Sequence, residues 1–385
     1  MTPIYFDHAA TTHMHACVVE AMLPYMGEMF GNPTELHTPG QIAREGLETA
    51  RAQVAALIGA PERDIVFTSG GTESDNLALI GTLQLLEPGH IAISAIEHPA
   101  VGQSVRFLQE LGWDATLVSV DHHGVLDLDA LEAALRPDTR MVSVMLANNV
   151  VGSLQPVREV AELAHERGIL VHTDAVQAFG SVPIDVEELG VDLLAASSHK
   201  LYGPKGVGAL YVRRGTRVKP LIHGGGQERG LRSGTENVPG IVGFGAAAEI
   251  ALRVMPEASP RLAALRDRLV AGVLELVPDT ELLGHPTSRL PGNACLSIAG
   301  VQGEPLVLQL DAHGIAASAG SACASSSLEP SHVLTAMGYG PEAAHGSLRL
   351  TLGRENTDAE VDRFLEVLPR VILQLRELRS LPASR

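Results

Sequence analysis

The chain has 385 residues, of which 45% are hydrophobic and 19% are charged. This composition excludes a disordered or fibrous protein, and the length suits two domains or one very large one. With 28 Lys and Arg against 45 Asp and Glu, the net charge of −17 argues against binding to nucleic acid or to an anionic membrane, because phosphate contacts need clustered basic residues.

The first residues lack the charged segment and apolar stretch of a signal peptide, and we expect no membrane-spanning run of about 18 apolar residues. Three cysteines, Cys17, Cys295 and Cys323, are too few for a disulfide framework, which is typical of a reducing compartment. We therefore expect a cytoplasmic protein.

Between residues 60 and 215, short β-rich runs alternate with longer helical patterns, which predicts βαβ units in a mainly parallel sheet. The predicted strands lie near Ile65–Thr68, Ile91–Ser94, Met141–Leu146, Ile169–Thr173, Leu193–Ala196 and Val207–Val212.

The stretch from Met255 to Pro260 interrupts this pattern, and Ser259 with Pro260 is typical of an N-cap and the first residue of a new helix. The last segment predicts an amphipathic helix that begins with a capping box of Thr357 and Glu360 and is kinked at Pro369. We expect an α/β fold: a large domain of residues 12–256 with a mainly parallel mixed sheet, and a smaller α+β domain of residues 1–11 with 257–385.

Ligands of open parallel sheets bind beyond the carboxyl ends of the strands. The first predicted strand is followed there by Ser69-Gly70-Gly71-Thr72-Glu73-Ser74 and a helical pattern. A glycine- and hydroxyl-rich loop that opens a helix presents free N–H groups and a positive dipole end to a phosphate. An ordinary tight turn between strand and helix would have the same composition.

The later strands are followed by His98, Asn149, Asp174 with Gln177, and Ser197 to Lys200. Each of these residues alone could be a cap, a turn residue or a surface charge. A phosphate loop, a carboxylate, an aromatic ring and a lysine along one sheet edge together match the needs of pyridoxal 5'-phosphate. Asp174 suits the ring nitrogen and Lys200 the aldehyde, provided that burial lowers the lysine pKa from its ordinary value of about 10.4.

Seven runs in order resemble the class V pyridoxal-phosphate enzymes of fold type I, and within them the cysteine desulfurases of the iron-sulfur and nitrogenase type. The resemblance covers nearly the whole chain. It is carried by Phe6–Thr12, Gly31–Pro33, Thr68–Ser74, His172–Gln177, Ser198–Gly206, Gly224–Glu228 leading to Arg232–Thr235, and Gly320–Ser325.

This resemblance implies that Lys200 binds the cofactor covalently, that Asp174 pairs with the ring nitrogen and that His98 stacks on the ring. It implies further contacts to the phosphate and ring edge and, since Thr235 would reach the phosphate of a neighbouring subunit, a homodimer. The remaining cofactor residues would be Gly71, Thr72, Asn149, Gln177, Ser197 and His199. Arg349, with Asn149, would bind the substrate carboxylate, and Arg354 is the alternative.

Cys323 distinguishes a desulfurase from its relatives. It lies in a run of ten residues, 318–327, without a large apolar side chain, which predicts an exposed, mobile loop and a reactive thiol. For Cys17 and Cys295 we expect burial as small hydrophobic residues, with Cys295 inside a strand.

The resemblance implies that Lys200 removes the α-proton of L-cysteine, with His98 as an acid-base partner. The Cys323 thiolate would then take the sulfur as a persulfide, releasing alanine, and pass it to an acceptor protein for iron-sulfur assembly or tRNA thiolation. One departure is Val150, since related chains usually have a glutamate after the paired asparagines.

Other functions remain open at this point. A selenocysteine lyase, an aminotransferase or a kynureninase would share the fold and Lys200 without depending on Cys323, and a non-catalytic sulfur carrier would not need the cofactor residues. A metal enzyme would need ligand spacing that the histidine pairs, His13 with His15 and His122 with His123, do not have, so we predict no metal site.

Overall fold

The computed structural model describes residues 3–320 and 330–380. The predicted loop around Cys323 lies outside the described residues.

A seven-stranded, mostly parallel sheet forms the centre of the fold. Its strands are β2 (Ile65–Thr68), β3 (His90–Ser94), β4 (Asp114–Val118), β5 (Thr139–Ser143), β6 (Leu170–Asp174), β7 (Leu193–Ser197) and β8 (Gly208–Val212). They are ordered β2-β8-β7-β6-β5-β3-β4, and β8 alone runs antiparallel to the other six strands of this sheet. Most of these strands are buried throughout, as expected where helices cover both faces of a parallel sheet.

In the part of the chain that the structure describes, seven α-helices precede or connect the strands of this sheet. They are α1 (Ala16–Met26), α2 (Thr38–Leu57), α3 (Gly71–Leu83), α4 (Pro99–Glu110), α5 (Leu128–Ala134), α6 (Val157–His165) and α7 (Val186–Leu189). Because each crossover returns the chain to the same edge, the carboxyl ends of β3, β5, β6 and β7 lie together. The six predicted strands are confirmed to within a few residues, and β4 is an additional edge strand.

A second, antiparallel sheet is built from the last third of the chain. Its order is β12 (Ser318–Ala319), β13 (Ser347–Thr351), β10 (Asn293–Ile298) and β9 (Thr280–Leu283). The helices here are α9 (Gly303–Ala312), α10 (His332–Ala336), α11 (Pro341–His345) and α12 (Asp358–Ser380). The predicted capping box is confirmed, since Thr357 N donates to Glu360 Oε2 at 2.8 Å and Glu360 N donates to Thr357 Oγ1 at 3.4 Å.

The N-terminal residues join this second sheet. Strand β1 (Ile4–Tyr5) pairs in parallel with β11 (Ile315–Ala316), and Thr351 N donates to Phe6 O at 2.7 Å. Phe6 is fully buried and packs edge-on against Phe364 of α12. The association of the first residues with the C-terminal part supports our proposal of a second domain made of residues 1–11 and 257–385.

Helix α8 (Val238–Leu276) runs without interruption through the predicted start of a new helix at Ser259 and Pro260. The prediction of a helix start there is wrong. Ser259 does not cap a helix but donates through Oγ to Ser181 O at 2.9 Å. By length and hydropathy α8 contains a window that could cross a membrane, but 61% of that window is buried, and it packs against α1 and α2 as a core helix.

A buried ion pair ties α2 to the turn before α8. Arg51 donates from both terminal nitrogens to the two carboxylate oxygens of Glu228 at 2.8 Å, and Phe67 N donates to the same carboxylate. Glu228 has a positive φ of 47°, so this turn depends on the contacts that hold it.

Glu228→Ala is expected to lower the free energy of unfolding by about 3–5 kcal/mol, because the buried Arg51 guanidinium loses its buried carboxylate partner and keeps only the half-exposed Glu48 as an ionic partner. Urea denaturation measures this change. The control is Glu48→Gln, which removes the charge of a half-exposed partner of the same arginine and should cost less than about 1 kcal/mol. Equal effects of the two substitutions would contradict the prediction.

Candidate active site

A cavity of about 370 Å³ opens at the carboxyl edge of the large sheet, where the second sheet adds one wall. It is lined by almost every residue that the sequence singled out: Gly71, Thr72, His98, Asn149, Asp174, Gln177, Ser197, His199, Lys200 and Arg349. Residues from strand ends far apart in the sequence thus converge on one space, as expected for an open α/β sheet.

One corner of the cavity is suited to an anion. Gly71 and Thr72 form the first turn of α3, so their N–H groups and the positive helix end are available to bind an anion in this corner. A Cβ atom on Gly71 would lie 2.6 Å from Val176 Cγ2, so only glycine allows this close approach. Burial lowers the pKa of His199 to about 4, aided by Lys200, and the neutral ring lies 3.1 Å from Thr11 Oγ1.

Lys200 lies at the centre of the cavity wall, at the end of the short 3₁₀ turn Ser198–Lys200. Its Nζ donates to the carbonyl oxygens of Ala9 at 2.5 Å and Ala10 at 2.7 Å. Thr12 Oγ1 fixes the turn, since it donates to His199 O at 2.9 Å and accepts from Tyr202 N at 2.8 Å. The N-terminal segment therefore sets the position of the amine.

Asp174 and His98 lie at the inner end of the cavity. Asp174 ends β6, is 5% exposed and accepts a hydrogen bond from Val176 N at 2.9 Å. Burial raises its pKa, whereas His98 and Lys200 lower it. His98 caps α4 by accepting from Ala100 N through Nδ1 at 3.1 Å, which places the proton of the neutral ring on Nε2.

Arg349 is the charged residue that the second sheet contributes to the cavity. It lies on β13 and is 4% exposed; Nη2 donates to Asp7 Oδ1 at 2.9 Å and Nη1 to Asn149 O at 3.1 Å. Its Nε is buried without a hydrogen-bond partner in the described part of the chain. Arg354, the alternative, instead stacks on Tyr202 with its guanidinium carbon 4.8 Å from the ring centre.

Several predicted residues lie elsewhere. Thr235 is exposed and does not line the cavity. Cys295 is buried inside β10 as expected, whereas Cys17 is exposed; the prediction that Cys17 is buried is wrong, because its position in the first turn of α1 faces outward. His15 caps α1, and His13 pairs with Glu355 at 3.1 Å.

Two acidic residues of the site were not predicted individually. Asp7 belongs to Phe6–Thr12, the first of the runs that carry the resemblance, and contacts Arg349, which lies 342 positions later in the sequence. Asp75 lines the cavity one helical turn after Gly71. That spacing from the phosphate loop is the only signal in the sequence that could have indicated Asp75.

The departure at Val150 has a structural context. Val150 is 3% exposed and packs in an apolar cluster with Ile96, Met145 and Cys295. Its own N–H donates to Asn148 Oδ1 at 2.9 Å. The loop that carries Asn149 is thus stabilised by apolar packing and by an asparagine side chain.

The residues present fit pyridoxal 5'-phosphate. The cavity has the size of small-molecule pockets, and its anion corner, lysine amine and buried carboxylate are distributed around it in the way that phosphate, aldehyde and ring nitrogen require. A neutral imidazole lies beside the carboxylate, where it can cover a ring face. Gly71, where no Cβ atom fits, leaves the backbone of the anion corner accessible.

Comparison with known proteins agrees with this chemistry. The family model described as Aminotransferase class-V matches residues 4–364. The chain is 51% identical over 380 residues to a protein of Methanosarcina thermophila named cysteine desulfurase IscS, which covers 98% of this chain and 94% of the relative.

Two solved structures are also similar. One is a NifS-like protein, with a TM-score of 0.91, 39% identity, and coverage of 97% of this chain and 100% of that chain. The other is SspA in complex with cysteine, with a TM-score of 0.81, 35% identity, and coverage of 92% and 100%.

Proposed function

The chain belongs to the class V aminotransferase family, and we propose that it is a pyridoxal-phosphate-dependent cysteine desulfurase. It converts L-cysteine to L-alanine and transfers the sulfur to Cys323. The observation that carries this proposal is the single cavity in which Lys200, Asp174, His98 and Arg349 meet at the helix start of Gly71. The likeness to proteins named cysteine desulfurase, at 51% identity over nearly the whole chain, supports the choice of reaction.

The cofactor supplies a sink for the negative charge that develops at the substrate α-carbon. Asp174 would hold its negative charge for the ring nitrogen, and His98, with its proton on Nε2, would stack on the ring. Lys200 would hold the cofactor in the resting enzyme, and its amine would take the α-proton of the substrate. The carbonyl groups of Ala9 and Ala10 keep that amine at the cavity wall.

Cys323 acts on the sulfur of the substrate. Its thiolate attacks that sulfur, so that an S–S bond forms as the C–S bond breaks, and the three-carbon part leaves as alanine after protonation at carbon. The persulfide on Cys323 is then passed to an acceptor protein for iron-sulfur assembly or tRNA thiolation. The small residues on both sides of Cys323 suit a segment that must reach both the cavity and the acceptor.

Arg349 binds the carboxylate of the substrate, because a guanidinium group can donate two parallel hydrogen bonds to it. Arg349→Lys is expected to raise the KM for L-cysteine by about 10- to 100-fold with a smaller change in kcat, since one charged hydrogen bond is lost. Steady-state kinetics measure this split.

The matched control is Arg354→Lys, the other arginine near this face of the protein. Because Arg354 stacks on Tyr202 and does not line the cavity, its substitution should leave the KM within about twofold of wild type. A larger rise in KM for Arg354→Lys than for Arg349→Lys would reverse the assignment.

The enzyme works as a homodimer in this proposal. Apolar side chains that a monomer would leave in water lie on α1 and in the segment before α2: Leu23 (57% exposed), Met26 (62%), Phe30 (77%) and Leu36 (82%). A group of exposed apolar residues of this kind marks an interaction surface. Exposed Thr235 is available to a neighbouring subunit, where it would contact the phosphate.

The test is the release of alanine from L-cysteine by the cofactor-loaded protein in the presence of a reductant. We expect alanine and sulfide in equal amounts, without added metal. In the cell, we expect the reaction to take place in the cytoplasm. A selenocysteine lyase would release alanine from L-selenocysteine but not from L-cysteine. Release of alanine from L-selenocysteine but not from L-cysteine would contradict the proposed function and identify a selenocysteine lyase instead.

A further inference from the structure

Asp75 is a third titratable side chain at the inner end of the cavity, beside Asp174 and His98. It is 1% exposed, and single donor atoms of the three side chains lie within 4.8 Å of one another. Its Oδ1 is buried without a hydrogen-bond partner among residues 3–320 and 330–380. The proposed reaction assigns no task to this carboxyl group.

The group behind Asp75 does not compensate a negative charge there. His172 Nε2 lies 3.5 Å from Asp75 Oδ1, and His172 Nδ1 lies 2.9 Å from Ser143 Oγ. Both His172 and Asp75 are buried, and burial lowers the pKa of His172 to about 3. The imidazole is therefore neutral. When Nδ1 carries the ring proton and donates it to Ser143 Oγ, Nε2 can accept a hydrogen bond.

Glu97 is a further buried carboxyl group whose charge acts on Asp75. Glu97 Oε1 accepts from Met145 N at 2.6 Å, and its Oε2 is buried without a partner in the described ranges. Burial raises the pKa of both Asp75 and Glu97 well above their ordinary values, and the charge of Asp174 raises both further. Carboxylate oxygens of Asp75 and Asp174 lie within 4.8 Å of each other, and two like charges this close in a buried site cannot both be ionised.

Asp174 is the group best placed to carry the one negative charge. Burial raises the pKa of Asp174, but His98, the hydrogen bond from Val176 N and Lys200 all act to lower it. The groups that act on Asp75 are the two other carboxyls, and both act against its ionisation. The proton therefore belongs on Asp75 rather than on Asp174.

We propose that Asp75 carries a proton in the working enzyme and is a positioning residue for Asp174, which remains the one anion opposite the ring nitrogen of the cofactor. This inference rests on the proposed function, because it concerns the same cofactor site. An ionised Asp75 would place a second negative charge next to the first and would raise the proton affinity of the cofactor.

The first test reads the proton directly in the wild-type holoenzyme at neutral pH. Infrared spectroscopy with ¹³C-labelled aspartate identifies the carbonyl stretch of a protonated aspartic acid by its isotope shift. We expect this band in wild type and in Glu97→Gln, and its loss in Asp75→Asn. Absence of the band from wild type, or its persistence in Asp75→Asn, would overturn the proposal. The labelled wild type decides even if a variant does not fold.

The second test follows the visible absorption of the bound cofactor as a function of pH. Asp75→Asn replaces one neutral hydrogen-bonding group with another, so the pH midpoint of the cofactor absorption should not move. If Asp75 were ionised, removing its charge would lower the midpoint by at least about one pH unit.

Asp75→Ala separates positioning from simple space filling. It should shift the midpoint, because Asp174 loses its neutral neighbour, and Asp75→Asn should restore the wild-type value. An unchanged midpoint in Asp75→Ala would show that Asp75 does not position Asp174. Neither readout depends on L-cysteine, so a holoenzyme that fails to release alanine would contradict the proposed function without deciding the state of Asp75.

Discussion

Replacing Lys200 by alanine is expected to lower the turnover of L-cysteine by at least about 10³-fold, because the substitution removes both the covalent anchor of the cofactor and the base at the α-carbon. Lys200 is the one lysine among the described residues that line the cavity. The carbonyl groups of Ala9 and Ala10 hold its amine there through two short hydrogen bonds.

Two measurements check this prediction: the rate of alanine release, and the visible absorption that remains on the protein after gel filtration. We expect both to fall in Lys200→Ala. The matched control is Lys205→Ala, which removes an exposed lysine five positions further along the same motif and should retain activity within about twofold. A Lys200→Ala protein that turns over L-cysteine at the wild-type rate would remove the basis of the proposed function.

Replacing Cys323 by alanine is expected to reduce the release of alanine from L-cysteine by at least about 10²-fold while the cofactor remains bound. The two other cysteines cannot take over its role. Cys295 is fully buried in β10, and burial raises the pKa of its thiol to about 11, so the reactive thiolate does not form there. Cys17 is exposed on α1 and does not line the cavity.

The assay compares Cys323→Ala with Cys17→Ala, since each removes one thiol from the same chain. Cys17→Ala should release alanine at the wild-type rate, and mass spectrometry should detect a persulfide on Cys17→Ala but not on Cys323→Ala. If Cys323→Ala releases alanine as fast as wild type, Cys323 is not the sulfur acceptor, and a lyase mechanism replaces the persulfide mechanism.

The central sheet could be predicted from the sequence because most of its strands are buried on both faces. Runs such as Ile65–Thr68 therefore consist of consecutive β-branched and aromatic residues. Strand β4 did not give this signal, because it lies at the sheet edge with Asp114 and Leu117 exposed. Only pairing with β3 makes it a strand.

Helix α8 could not be predicted as one helix, because proline normally ends a helix in its interior. Pro256 and Pro260 are four residues apart and both exposed, as is Leu252 four residues earlier. The carbonyl groups that the prolines leave unpaired, those of Leu252 and Pro256, therefore belong to the solvent-facing side of the helix, where water can bind them. The tertiary packing of α8 on α1 and α2 outweighs the local signal.

The cofactor side of the site could be predicted because its residues directly follow strands. The contacts between Asp7 and Arg349, and between Asp75 and His172, join positions that are distant in the sequence. No local pattern encodes such pairs, since they depend on how separate elements pack. The sequence therefore indicates most of the residues that form the site. Only the three-dimensional arrangement shows which charged residues lie around them.

The pairing of the first residues with the last strand has a consequence for synthesis of the chain on the ribosome. Residues 65–212 contain every strand of the large sheet, so this part can begin to fold when little more than half of the protein has been made. Thr351, which holds Phe6, and Arg349, which holds Asp7, emerge only near the end. A nascent chain can therefore assemble the cofactor side of the site early but cannot bind substrate until translation is almost complete.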